Sequence, residues 1–210
     1  MKTLILTFAL LLGGYFSFAQ GLVAMETEAA PAPAKKSILN VFSANADYKT
    51  LVKDYTNELN EKPNDLTLYS NRAKAYIGLK EYKKAIADYN KILSVDMENT
   101  EAYYNRGLAY MKITDYRNAL NDMTRVIKRN PADIDALHYR AVCKATLFDP
   151  TGAIQDYTTL IGLEPDNLDN YYERAIYRYE TYDSEGACAD WAKIRDTDPR
   201  AARAMKKYCK

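Results

Sequence analysis

One spacing limits what this chain can fold into: 34 residues. Pro131, Pro165 and Pro199 stand that far apart, Pro63 lies two periods before Pro131, and Met97 takes the place between. The same step carries Ala85, Ala119, Ala153 and Ala187, then the small residues Ala73, Gly107, Ala141 and Ala175. It also carries the large residues Tyr89, Met123, Tyr157 and Trp191, and a fourth row of Tyr69, Tyr103, Leu137 and Tyr171. A chain that keeps one register this long builds one supersecondary unit several times. Small residues let two helix backbones approach, and large ones fill the space beside them. Each Pro ends a unit, because it cannot continue the helix before it. Inside the units the breaks fall at Gly78-Leu79-Lys80 and at Asp149-Pro150, where Asp can cap a helix and Pro fits its first turn. The unit read from this pattern is an antiparallel helix pair. One pair cannot bury its apolar stripe alone, so neighbours stack into an all-α solenoid.

In this order and at this period, the rows resemble the tetratricopeptide repeat. Four copies match, at about 66–99, 100–133, 134–167 and 168–201. The third departs most, with Lys144 where Tyr76 and Tyr110 stand earlier and Pro150 in place of Tyr82 and Tyr116. The resemblance implies a right-handed α-α superhelix of about four helix pairs, with a capping helix at each end. Residues 44–61 align with the second helix of a repeat, turning Leu51, Tyr55 and Leu59 inward. Residues 200–209 read as a final helix, with Ala204, Met205 and Tyr208 inward and Arg200, Arg203 and Lys207 outward, the polar face a stack needs at its end.

The first residues belong to a different object. Lys2 precedes the apolar run Leu4 to Leu12, and Ser17-Phe18-Ala19 supplies small residues for cleavage. This is the pattern of a secretory signal peptide over 1–19. An uncleaved anchor is the alternative, but the run is shorter than the roughly 20 residues a span requires. Residues 20–42 are rich in Ala and Pro and read as a flexible linker, leaving 43–210 for the solenoid. Without Lys2 the chain has 28 basic and 28 acidic residues. A protein that neutralises phosphates usually carries a basic excess, so nucleic acid is not expected as a partner. The expected location is outside the cytoplasm, periplasmic or secreted, with no membrane insertion after cleavage. Export signal and Cys-containing end together look like secreted repeat proteins of Gram-negative bacteria.

A second periodic set departs from the family pattern. Arg72, Arg106, Arg140 and Arg174 occupy a first-helix position where Leu is usual, and Asp54, Asp88, Asp122, Asp156 and Asp190 recur on the second helices. Counting from the connecting turns puts each Arg level with the Asp of its own repeat and of the preceding one. The planar guanidinium fork can bond both. A half-buried structural ladder is expected, the alternative being an exposed row for an acidic partner. Arg106→Leu is expected to be milder than Asp88→Ala, which strands a buried charge. The same counting places Cys188 and Cys209 within about one residue of level. An exported protein can bond them, and two buried free thiols are the alternative. Cys143 reads as a buried free thiol.

No catalytic constellation emerges. His138 is the only histidine and has no patterned partner, three scattered cysteines make no metal site, and no phosphate or dinucleotide loop is present. Neither enzyme activity nor a cofactor is expected. In the family, ligands lie in the concave groove lined by the first helices, and the resemblance implies the same here. By register that groove holds Lys74, Tyr104, Leu108, Met111, His138, Tyr172, Ile176 and Tyr179, polar at its start and aromatic further on. The expected function is a protein-interaction scaffold that takes a protein or peptide segment there. The alternatives are a structural subunit of a larger envelope or secretion assembly and, third, an enzyme or its accessory. Composition leaves the oligomeric state open.

Overall fold

The computed structural model describes residues 38–209, with side chains from residue 47 onward. The signal peptide expected at 1–19 and residues 20–37 of the expected linker lie outside the described residues. The chain divides into two units, residues 1–44 and 45–210, and of the first only the opening turns of one helix are described.

Ten α-helices run through the described residues. They are α1 (Ile38–Glu61), α2 (Leu66–Gly78), α3 (Tyr82–Val95), α4 (Thr100–Lys112), α5 (Tyr116–Arg129), α6 (Ile134–Thr146), α7 (Pro150–Leu163), α8 (Leu168–Glu180), α9 (Ser184–Ile194) and α10 (Pro199–Tyr208). From α2 onward each helix packs on the next in sequence, forming a superhelical stack of four helix pairs closed by α10. Two boundaries differ from the sequence expectation. α1 begins at Ile38, so residues 38–42 are helical rather than linker, and the capping helix starts before residue 44. α9 ends at Ile194, three residues short of its repeat equivalents, so Pro199 opens α10 instead of closing repeat four.

The periodic rows become the core. Ala73, Ala141 and Ala175, and Ala85, Ala119, Ala153 and Ala187, are all fully buried. Tyr89, Met123, Tyr157 and Trp191 are at most 2% exposed beside them. Leu59 is buried as expected of the first cap, whereas Leu51 is 38% exposed and packs little.

Side chains also close the helix ends at the same period. Asp65, Asn99, Asp133 and Asn167 cap the first helices, accepting from backbone N–H groups such as Ala102 and Ala136, both at 2.9 Å. Asp115, Asp149 and Asp183 cap the second helices of repeats two to four. Each such cap satisfies a donor the helix leaves unpaired and contributes about 1 kcal/mol. At the turn between paired helices, Lys80, Thr114, Phe148 and Tyr182 have φ between 61° and 65°. There the chain closes a Schellman turn: Lys80 N–H donates to the Ile77 carbonyl at 2.9 Å and Glu81 N–H to that of Tyr76 at 2.8 Å. None of the four is glycine, so each carries a left-handed cost of about 1–2 kcal/mol. Gly78, expected to make this break, is instead the last helical residue. A Cβ there would come within 2.5 Å of the Tyr48 ring, so the glycine serves close packing.

Candidate functional site

The ladder is built on a spacing of 16 residues across each helix pair. Arg72 Nε and Nη2 donate to Asp88 at 2.8 and 2.7 Å, and Arg106 does so to Asp122 at 2.8 and 2.6 Å. Arg140 with Asp156 and Arg174 with Asp190 repeat the fork. These four aspartates are at most 5% exposed. Tyrosines flank the cations, with Arg72 between Tyr69 and Tyr76 at 5.5 and 5.9 Å and Arg106 between Tyr103 and Tyr110 at 5.5 and 5.8 Å. Burial pushes the Asp122 carboxyl up, against the pull of Arg106.

The second partner of each Arg is not the expected one. Among the described residues no Arg bonds the preceding repeat's Asp, and Asp54 is exposed. Arg72 Nη1 reaches Thr56, Arg106 reaches Asn90, and Arg174 reaches Thr158, at 3.2, 2.6 and 3.2 Å. These stand 16 residues back, two beyond the expected aspartates. Where Tyr76 and Tyr110 stand in the first repeats, the later ones place Lys144 and Arg178. These add second cations to Asp156 and Asp190 at 2.9 and 2.8 Å. Lys144, read from sequence as a packing departure, thus neutralises a buried carboxylate.

Cys188 and Cys209 are bonded, with Cα atoms 5.8 Å apart, and this ties α10 to α9. Cys143 is a buried free thiol, and burial pushes it up to about 11.

The groove positions separate into two groups. In repeat four α10 covers them. Ile176 is buried, at 8% exposure, and is withdrawn from any surface a partner reaches. Tyr179 packs at 4.6 Å on Tyr208 and at 6.1 Å on Trp191, and Arg200 lies over the Tyr172 ring at 4.4 Å. These residues are part of the stack's end, although register puts them in the groove. In repeats one to three the face stays accessible. Lys74 is exposed and pairs with Glu101 at 2.8 Å. Tyr104, Leu108 and Met111 are half-buried and His138 is exposed. Tyr104 meets Tyr139 edge-on at 6.2 Å, and His138 meets Tyr139 and Tyr157 in the same manner. Between α4 and α6 lies an open cleft of about 310 Å³, lined by Thr100, Glu101, Tyr104, Val126, Asp133 and Asp135. By register Glu101 and Asp135 face this groove as Tyr104 does, and Tyr104 alone of the three is expected as an anchor. The carboxylates carry a signal of their own, since Glu101, Asp135 and Asp169 keep the 34-residue step. No helix among the described residues is long and apolar enough to cross a membrane.

Comparison with known proteins agrees with this architecture. A TPR repeat model matches residues 73–113, and a tetratricopeptide repeat model matches residues 100–133. No curated protein matches the chain. Similar solved structures include MamA, at 20% identity and a TM-score of 0.67 over 80% of this chain and 98% of that one. MamA from residue 41 to its end, from Desulfovibrio magneticus RS-1, aligns at 17% identity and a TM-score of 0.60, over 73% and 94% of the two chains. YrrB, described as a TPR protein with an unusual peptide-binding site, aligns at 22% identity and a TM-score of 0.68, over 80% and 88%. At these identities the likeness concerns the fold.

Proposed function

We propose that this tetratricopeptide-repeat protein is a non-enzymatic scaffold that holds an extended protein or peptide segment across repeats two and three, in the cell envelope or outside the cell. The observation that carries the reading is the open cleft beside Tyr104, on a face whose aromatic and Met side chains keep part of their surface free. Half-exposed aromatic and Met residues are typical anchors for protein partners, because they bury much area at little entropic cost. The similarity to YrrB supports a peptide occupant. The Cys188–Cys209 bond supports export, since an oxidising compartment sustains such a bond and the cytosol does not.

A second reading, a structural subunit of an envelope assembly, draws on a different surface. Phe148 and Tyr182 occupy equivalent left-handed turns and are 80% and 79% exposed. Photo-crosslinking residues at Met111 and His138, with Lys84 on another face as control, distinguish the two in the exporting cell. Discrete adducts from the two groove sites alone support the scaffold. Adducts at Lys84 of equal strength, or capture lost in Phe148→Ser with Tyr182→Ser and retained in groove variants, would move the assignment to the structural subunit.

A further inference from the structure

The first-helix face carries an acidic row together with one filled example of what that row can hold. Glu101, Asp135 and Asp169 each sit in the first turn of their helix and are exposed. Three residues on, hence one turn along the same face, stand Tyr104, His138 and Tyr172. In repeat four the chain itself fills the acid–aromatic pair. Arg200, reaching back from the following helix, lies 4.4 Å from the Tyr172 ring centroid and bonds Asp169. Hydrogen bonds to Asp198 and then Asp169 outweigh burial and hold this guanidinium charged.

In repeat two the corresponding pair, Glu101 and Tyr104, faces the open cleft, and the following helix brings Asp135 where repeat four receives an arginine. No arginine from the following helix reaches this pair, since Asp135 stands at the helix position that Arg200 holds in repeat four, and the one cation on Glu101, Lys74, comes from the preceding repeat. Asp133 accepts the Ala136 amide on Oδ1 alone, so its carboxylate adds a further negative charge beside Glu101 and Asp135 on the cleft. No cation lies within ion-pair distance of Asp135 among the described residues. The Lys74–Glu101 pair is exposed on both sides, 52% and 66%, and such surface bridges are weak enough to yield to a ligand. Tyr104, pushed up to about 12 by burial and then by Asp135, keeps its proton, and its ring is steadied edge-on by Tyr139.

We propose that the groove takes a basic peptide segment, one arginine or lysine of which lies on the Tyr104 ring with its cation between Glu101 and Asp135. This rests on the groove reading above. Arginine fits better than lysine, because its planar fork bonds two carboxylates while stacking on a ring.

Nuclear magnetic resonance titration of the full chain tests this with acetylated, amidated alanine pentapeptides bearing a central arginine, lysine, citrulline or glutamate. The arginine peptide should shift the signals of Glu101, Tyr104 and Asp135, with lysine weaker and the uncharged isostere citrulline silent. Combining Glu101→Gln with Asp135→Asn should weaken arginine binding about tenfold or more. Both residues are exposed, and unchanged spectra elsewhere report that the variant folds. Equal shifts from citrulline or glutamate in this cleft overturn the cationic subsite and leave the groove reading intact. No shift there from either cationic peptide also overturns it, and in-cell crosslinking at Met111 and His138 then decides the groove reading separately.

Discussion

Replacing Arg106 by leucine should destabilise the protein far more than replacing Arg174, although the two arginines occupy the same repeat position. Asp122 is 2% exposed, and Arg106 is the only cation within ion-pair distance of it among the described residues. Arg106→Leu strands that carboxylate in the stack, a loss of about 3–5 kcal/mol. Asp190 is comparably buried, but after Arg174→Leu it retains Arg178 at 2.8 Å. That variant loses charged hydrogen bonds without orphaning the charge, a cost of about 1–3 kcal/mol. At about 2–4 °C per kcal/mol for a chain of this size, Arg106→Leu should melt roughly 6–20 °C below the parent and Arg174→Leu well short of that.

Burial reverses the ordering expected from sequence, in which losing the arginine was the milder change. The aspartate is the deeper partner, with its side chain 3% exposed against 17% for Arg106. Urea and thermal unfolding followed by circular dichroism, on both single variants and on Arg106→Leu combined with Asp122→Leu, measure the effect. The double variant should recover most of the loss, because an apolar pair replaces a buried ion pair at little net cost. The Arg106→Leu deficit should also shrink on acidification, since a protonated Asp122 no longer needs a counter-charge. Equal losses for the two single variants, or a double variant no better than Arg106→Leu, would refute the reasoning.

Three further outcomes are expected. Cys209→Ser should cost roughly 3 kcal/mol for a closed loop of this length, and should shift the emission of Trp191, the only tryptophan, as the Tyr208 ring stacked 5.9 Å from it detaches; unchanged emission and stability would show that α10 docks without its clamp. Cys143 should resist iodoacetamide at pH 8 in the folded protein and react after denaturation, because burial holds its thiol protonated up to about 11. Burial also raises the Glu180 carboxyl, so the folded state keeps that proton to higher pH than the unfolded chain does. Its contribution is full below the ordinary glutamate value of about 4.3 and is lost as pH rises through the raised one. Glu180→Gln should therefore stabilise the protein at pH 7 and leave it unchanged at pH 3.5, and equal stabilisation at both would assign the effect to packing.

Much of this protein was legible in its sequence because each repeat asks the same of the same positions. Ala85 and its equivalents must be small where helices touch, and Tyr89 and its equivalents must be large beside them. The capping residues Asp65, Asn99, Asp133 and Asn167 keep the same step. Period and residue type together determined the helix pairs, their order and the 16-residue Arg–Asp reach. The second partner of each arginine was not legible. Level along the stack hardly separates Asp88 from Asn90, which differ by about 3 Å of rise, yet two residues turn a side chain by about 200° around the helix. Asp88 thus faces Arg72 of its own repeat, and Asn90 faces Arg106 of the next.

The groove divides for a similar reason. Register placed Tyr104 and Tyr172 on one face, and nothing in the repeat distinguishes them. Only the tertiary structure covers one and leaves the other beside an open cleft. α9 stops three residues early, α10 docks through Ala201, Ala204 and the Cys188–Cys209 bond, and Arg200 then reaches the Tyr172 ring. Sequence period sets what each repeat is, and contacts between non-equivalent elements at the end of the stack set what each repeat can still bind.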